Sequence, residues 1–338
     1  MLNIISRAIV SKRTHGPRKV VENLMQGLDA IGVPYVLNQG LTATGALWIH
    51  DDPIALDTLI EFHPEIPAVV GPNMYSTPRS LSNLTLPSNI LWLSPALWVQ
   101  KFWQASGFEH EPHAVWPVGI DTTRFAPDPS IKKDTVLVYV KQRSDAEVRR
   151  VTQLLKDREM PYTLMRYGTY AEAEYVRTLK RAHAIIWIGR SESQGIALLE
   201  ALATNVPALV WDIPSFGSWD GGGKERFTAQ ELAFTEATAV PYFSSACGLR
   251  FTKKEELPTI LETFMEKLGS FSPRTYIAKH LSLAGQAQAF IELYTKQLHL
   301  PEADLRDTTL RSEKPWRNAT FPFWLKTRIK DAVRAVIR

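Results

Sequence analysis

The sequence predicts an α/β chain of two Rossmann-like, doubly wound parallel-sheet domains facing a cleft, followed by a C-terminal helical tail. Three observations predict it. Short apolar runs alternate with segments of helical periodicity from the first residue onward. One stretch rich in proline and charge, residues 116–134, breaks that alternation and has no period of its own. The 338 residues amount to about two domains, each long enough to bury a core. The divisions expected are 1–125, 126–300 with a closing helix, and a linker and basic tail over 301–338.

In the first half the candidate strands are Leu2–Ile5, Tyr35–Leu37, Ala46–His50, Ala68–Gly71, Ile90–Leu93 and Ala114–Trp116. Between the first two, Val20, Val21, Leu24, Leu28 and Ile31 recur at helical spacing, with Pro17 in the first turn and Gly32 past the end. In the second half, strands Val136–Val140, Thr163–Tyr167, Ala184–Ile188 and Ala208–Trp211 alternate with helices near 145–157, 171–182 and 195–204, and one long helix near 274–298 closes the domain. Trp48, Trp187 and Trp211 lie inside apolar strands and read as core, not as platforms for a ligand.

Composition removes several function classes. With 45% hydrophobic and 22% charged residues, and 18 Gly and 22 Pro scattered singly, the chain is neither collagen-like nor disordered. A lone cysteine, Cys247, excludes an intramolecular disulfide and a cysteine-built zinc site. No apolar run reaches the roughly 18 residues of a membrane span. The opening MLNIISRAIVSKR is interrupted by Arg7 and reads as strand and loop, so a cytoplasmic location is expected. The net charge of +4 resides in residues 326–338, leaving the remainder formally neutral. A duplex-binding footprint is absent, and no nucleic-acid partner is expected.

The most informative stretch is IIWIGRSESQGIALLEALATNVPALVWD, where a buried strand ends, a small-residue loop follows and a helix opens near Gly195. In a doubly wound sheet this turn lies at the carboxyl edge, where ligands bind. Unpaired amides at the helix start would hold a phosphate near Gln194, Gly195 and Ile196. Glu200, inside the helix, can accept hydrogen bonds from a ribose diol, and Glu192, in the loop, can reach the hydroxyls of a sugar beyond the phosphate. Either acid can instead be a capping or solvated carboxylate.

The segment SESQGIALLEALATNVPAL resembles the E-x7-E motif of family-4-type retaining glycosyltransferases of the GT-B fold. THGPRKVVENLMQGLDAIG is similar to that family's first loop and helix, and WPVGIDTTRF to its interdomain segment, so the resemblance spans roughly residues 1–300. It implies a GT-B-like fold, a nucleotide-sugar donor on the second domain and a glycan or lipid-linked acceptor on the first. It also implies retention of configuration, no metal and no cofactor beyond the donor substrate. By position, Glu200 matches the glutamate that binds the donor ribose and Glu192 the one that contacts the transferred sugar. Lys141 stands where the family has an arginine and could neutralise the diphosphate. Arg143 could replace the family's nearby lysine, although a lone cation after a strand is also often merely solvated.

On the facing domain, Lys12, Arg13, His15, Arg18 and Lys19 surround the Gly16–Pro17 turn at a helix N-terminus, where cations are unfavourable without an anion. A donor or acceptor phosphate would supply one; an exposed basic loop is the alternative. His50, with Asp51, resembles the family's strand ending in a histidine and an acid, and is either catalytic or a structural strand end. Asn73 stands in place of a second family histidine. Ser94 matches a serine that either caps the next helix or meets ligand. His50-Asp51-Asp52 does not read as a metal site, because adjacent strand-end side chains diverge. DGGGKE, 220–225, lacks the Ser or Thr of a phosphate-binding loop and reads as a loop near the donor.

In the tail, Leu325, Ile329, Ala332, Val333 and Val336 form one helical stripe opposite five cations, beside Phe321, Phe323 and Trp324. Such a helix can lie peripherally on an anionic membrane surface through residues 321–338, or pack on the first domain or a partner. Two other classes stand beside the transferase: a non-catalytic sugar-nucleotide or glycan-binding protein, and a membrane-tethered scaffold.

Overall fold

The structure, a computed structural model, describes residues 1–10, 16–72, 74–81, 84–311 and 315–316. The basic loop 11–15, Asn73 and the tail stripe lie outside these residues. The first unit runs β1 (Leu2–Ser6), α1 (Gly16–Ile31), β2 (Tyr35–Leu37), β3 (Ala46–His50), α2 (Pro53–Phe62), β4 (Ala68–Val70), β5 (Ile90–Ser94), α3 (Leu97–Ala105) and β6 (His113–Val115). Its six strands are all parallel in the order β2-β1-β3-β4-β5-β6.

The second unit runs β7 (Thr135–Val140), α4 (Asp145–Asp157), β8 (Tyr162–Arg166), α5 (Glu172–Arg181), β9 (Ala182–Ile188), α6 (Ile196–Ala203), β10 (Ala208–Trp211), α7 (Ala229–Leu232), β11 (Gly248–Phe251) and α8 (Leu257–Glu266). Its five strands are parallel, ordered β11-β10-β9-β7-β8. The central strands are buried on both faces, which is why they read as unbroken apolar runs such as TVLVYV. Trp48, Trp187 and Trp211 are all core residues.

The helix expected over 274–298 is two helices, α9 (Pro273–His280) and α10 (Leu283–Gln297), followed by α11 (Glu302–Arg306). The break falls at Leu281–Ser282, where the Ser282 hydroxyl accepts the Gly285 N–H and starts α10. Although expected to close the second domain, α10 packs into the core of the first. Its stripe Ala287, Phe290, Ile291 and Tyr294 meets Val20, Val21 and Leu24 of α1 and both Trp48 and Trp116. The Tyr294 hydroxyl donates to Leu47 O at 2.5 Å, and Trp116 Nε1 donates to Gln286 O at 2.9 Å. The close approach needs Gly27, since a Cβ there would lie 2.5 Å from Leu283 O.

The two units also meet through aromatic side chains. Trp98 and Phe102 of α3 pack against Phe216, Phe227 and Phe234 from the second unit, with Phe102 and Phe216 ring centroids 4.7 Å apart. The Tyr242 hydroxyl donates to Pro95 O at 2.6 Å.

Candidate functional site

Between β9 and α6 the chain makes the turn Gly189–Gly195 at the carboxyl edge of the second sheet. Gly195 is the N-cap of α6 with φ +76°, a left-handed conformation that a side chain would strain. Among the described residues the backbone N–H groups of Gln194, Gly195 and Ile196 find no acceptor. The turn is fixed by other groups. Asp212 at the end of β10 accepts Ala239 N–H at 2.7 Å and the Thr238 hydroxyl at 2.8 Å, and Thr238 O in turn takes the Glu192 N–H at 3.0 Å. From the first unit, Trp98 Nε1 donates to Glu192 O at 2.9 Å. The Gln194 side-chain amide is committed to the segment between the two units, accepting Val118 N–H at 3.1 Å and donating to Val118 O at 2.7 Å.

Both acids of the motif are buried, and each already holds a cation. The Lys141 ammonium lies 2.7 and 2.8 Å from the two carboxylate oxygens of Glu192 and 4.4 Å from the Tyr167 ring centroid. Glu200, 3% exposed, faces the first unit and pairs with Lys19 of α1. Lys19 also pairs with Glu172 at 2.5 Å, and Glu172 with Arg124 at 2.9 Å. Burial pushes the Glu200 carboxyl up to about 7, against the lowering pull of Lys19. Burial alone would lower Lys19, but Glu200 and Glu172 together hold it above the ordinary lysine range. The anion demanded by the cations at the start of α1 is thus supplied, for Lys19, by the protein itself across the interface, and Arg18 pairs with Glu22 at 2.6 Å.

Beneath the two acids the Tyr139 and Tyr170 hydroxyls are 2.6 Å apart. Burial, helped by the fields of Glu200 and Glu192, pushes Tyr170 up to about 12. Beside Lys141, Val140, Gln142, Arg143, Arg166, Tyr167 and Gly221 line an open hollow of about 400 Å³.

The remaining residues singled out in the sequence are placed differently. Arg143 is spent on the scaffold: it bonds the Glu147 carboxylate, Gly189 O at 2.9 Å and Trp211 O at 3.1 Å, joining β9, β10 and α4. His50 is buried in the first unit, its Nδ1 3.2 Å from the Ser6 hydroxyl and its ring against Trp48. Gly16 opens α1, and a Cβ there would meet nothing within 4 Å. Ser94 does not cap α3, whose N-cap is Ala96; its hydroxyl is 2.9 Å from His113 Nε2. Asp52 caps α2 through Ala55 N–H at 3.2 Å and accepts Trp316 Nε1 at 3.1 Å. No group of three or more His, Cys, Asp or Glu is placed to hold a metal among the described residues, and no helix among them is long and apolar enough to cross a membrane.

Arg190, in the turn itself, was not singled out from the sequence. Its main chain extends the β7–β9 ladder, donating to Lys141 O at 3.1 Å, and its Nε is buried without an acceptor among the described residues. The available signal was a cation just past the strand end and two residues before Glu192.

No protein-family model matches this chain, and no curated protein matches it in sequence. Solved structures do resemble it. Anabaena HepE in complex with UDP and glucose superposes with a TM-score of 0.54 at 11% identity, over 87% of this chain and 99% of that one. The lipopolysaccharide outer core galactosyltransferase WaaB superposes with 0.51 at 11% identity, over 86% and 97%. The architecture is GT-B. The pneumococcal O-GlcNAc transferase GtfA is also similar (TM-score 0.49, 13% identity); the match covers 77% of this chain and 58% of GtfA.

Proposed function

We propose that the protein is a glycosyltransferase of the family-4 type, moving a sugar from a nucleoside diphosphate sugar to a hydroxyl of a glycan or glycolipid, with retention of configuration and without a divalent ion. One observation carries the reading: on a GT-B chain, a turn whose three successive amides find no acceptor among the described residues lies between two buried carboxylates at a sheet's carboxyl edge. In this reading the amides of Gln194, Gly195 and Ile196 receive the diphosphate, Glu200 takes the ribose diol once Lys19 withdraws, and Glu192 meets hydroxyls of the transferred sugar. The sugar C1–O bond breaks with its electron pair on the departing phosphate oxygen. The acceptor oxygen enters on the same face and its proton passes to that phosphate. The preorganised amides stabilise the negative charge as it develops. HepE has been solved with UDP-glucose, which supports the expectation that this fold can hold such a donor.

The occupied acids favour a second reading, a sugar-nucleotide or glycan-binding protein without turnover, because each carboxylate already has an internal cation. Incubation with a panel of nucleoside diphosphate sugars separates the two. The transferase reading expects nucleotide release, weaker donor binding in Glu200→Ala, and slower turnover with nearly unchanged donor affinity in Glu192→Gln. Binding without release supports the second reading, and normal transfer by both variants moves the site elsewhere.

A lipid-linked acceptor and peripheral membrane attachment belong to the same proposal. Trp316, in the stretch that precedes the tail in sequence, lies at the carboxyl edge of the first sheet, its backbone N–H donating to Asn38 O at 2.7 Å and its indole N–H to Asp52 at 3.1 Å.

A further inference from the structure

We propose that Arg190, together with Trp219 and Lys224, is the cationic site for the donor's diphosphate; the inference rests on the nucleotide-sugar reading above and names the residues that would carry its charge. The cations expected from the sequence are spent, Lys141 on both oxygens of Glu192 and Arg143 on Glu147 and two carbonyls. Arg190 is not. Its guanidinium lies 5.9 Å from the Trp219 ring centroid, and the Lys224 ammonium lies 5.3 Å from the same centroid. No carboxylate among the described residues pairs with either cation.

Two buried donors in this stack also find no acceptor among the described residues: Arg190 Nε and the indole Nε1 of Trp219, a residue only 5% exposed. A buried N–H without a partner is costly, and two cations sharing one indole repel each other unless an anion joins them. A diphosphate answers both demands. Its several oxygens accept from guanidinium, indole and ammonium together, and a guanidinium fork suits phosphate better than an ammonium does. Place and charge agree: Arg190 lies in the same Gly189–Gly195 turn whose far end carries the unpaired amides, and Lys224 follows Gly223, which has a φ of +105°.

The test is isothermal titration of the full chain at pH 7.5 with inorganic pyrophosphate, then with UDP and uridine. Arg190→Met is expected to weaken pyrophosphate and UDP about 10- to 100-fold, the loss of one charge-assisted partner, and to leave uridine unchanged. Arg190→Lys should fall between, Trp219→Phe should cost a few-fold, and circular dichroism should show each variant folded. Should Arg190→Met bind pyrophosphate as the wild type does, or the wild type not bind it at all, the assignment is overturned. UDP binding that is indifferent to Arg190 defeats this inference alone. Pyrophosphate binding through Arg190 with no nucleoside diphosphate bound defeats the donor reading alone.

Discussion

Replacing Lys19 by Met removes the cation that joins the first unit to Glu200, and the cost should depend on pH in a calculable way. Burial sets the Glu200 carboxyl at about 7, raised from an ordinary 4.5. That raised value means the group favours the folded state below pH 4.5 and progressively loses the contribution as pH rises through 7, in all about 3 kcal/mol. At pH 8 the wild-type carboxylate is charged and held by Lys19. Without Lys19 its proton affinity climbs further, and once that passes 8 the group simply protonates, which caps the cost at about 1 kcal/mol, one pH unit's worth. At pH 5.5 the carboxyl already carries a proton, so this part of the cost vanishes. The lost contacts to Glu172 and to the Phe125 ring, 5.3 Å from the ammonium, remain at both values. The difference between wild type and Lys19→Met in thermal midpoint should therefore be about 2 °C larger at pH 8 than at pH 5.5. An equal difference at the two pH values would refute the reasoning, because Glu200 would then not be titrating against Lys19.

Gly195→Ala should lower stability by about 1 kcal/mol or more through the strain of φ +76° and reduce nucleotide binding with it, measured by thermal unfolding and titration. Arg143→Met should cost roughly 2–4 kcal/mol in unfolding free energy, since it strips Gly189 O and Trp211 O of their donor, yet leave nucleotide affinity in the folded fraction unchanged. Trp98→Phe, which keeps most of the ring but removes the bond to Glu192 O, should alter turnover more than donor affinity, read as a separate effect on kcat and KM.

The sheets were legible because buried parallel strands are continuous apolar runs: β1, β3, β7 and β9 fall within two residues of their expected limits. β11 was missed because it is a four-residue edge strand carrying Arg250, too short and too polar to stand out. The split between α9 and α10 has only Ser282 to announce it, and the docking of α10 on the first unit rests on long-range packing, including the close approach at Gly27, which no local pattern reports. The turn at Gly195 and its two acids were legible as strand, small residues and helix. The partners of those acids were not, since Lys19 and Glu200 lie 181 positions apart and a sequence does not say which acid answers a cation. Arg143 was more readable than its expected role implied: Ser144 and Glu147 form a capping box, and Glu147 is also four residues on from Arg143.

The account depends on the second unit accepting a nucleoside diphosphate at the start of α6. Titration of the full chain with UDP, GDP and ADP, for wild type and Glu200→Ala at pH 7.5, tests this most directly. The account predicts that at least one of the three binds the wild type and binds at least about tenfold more weakly after the substitution. Binding of equal strength in both proteins, or none in the wild type at millimolar nucleotide, would contradict it.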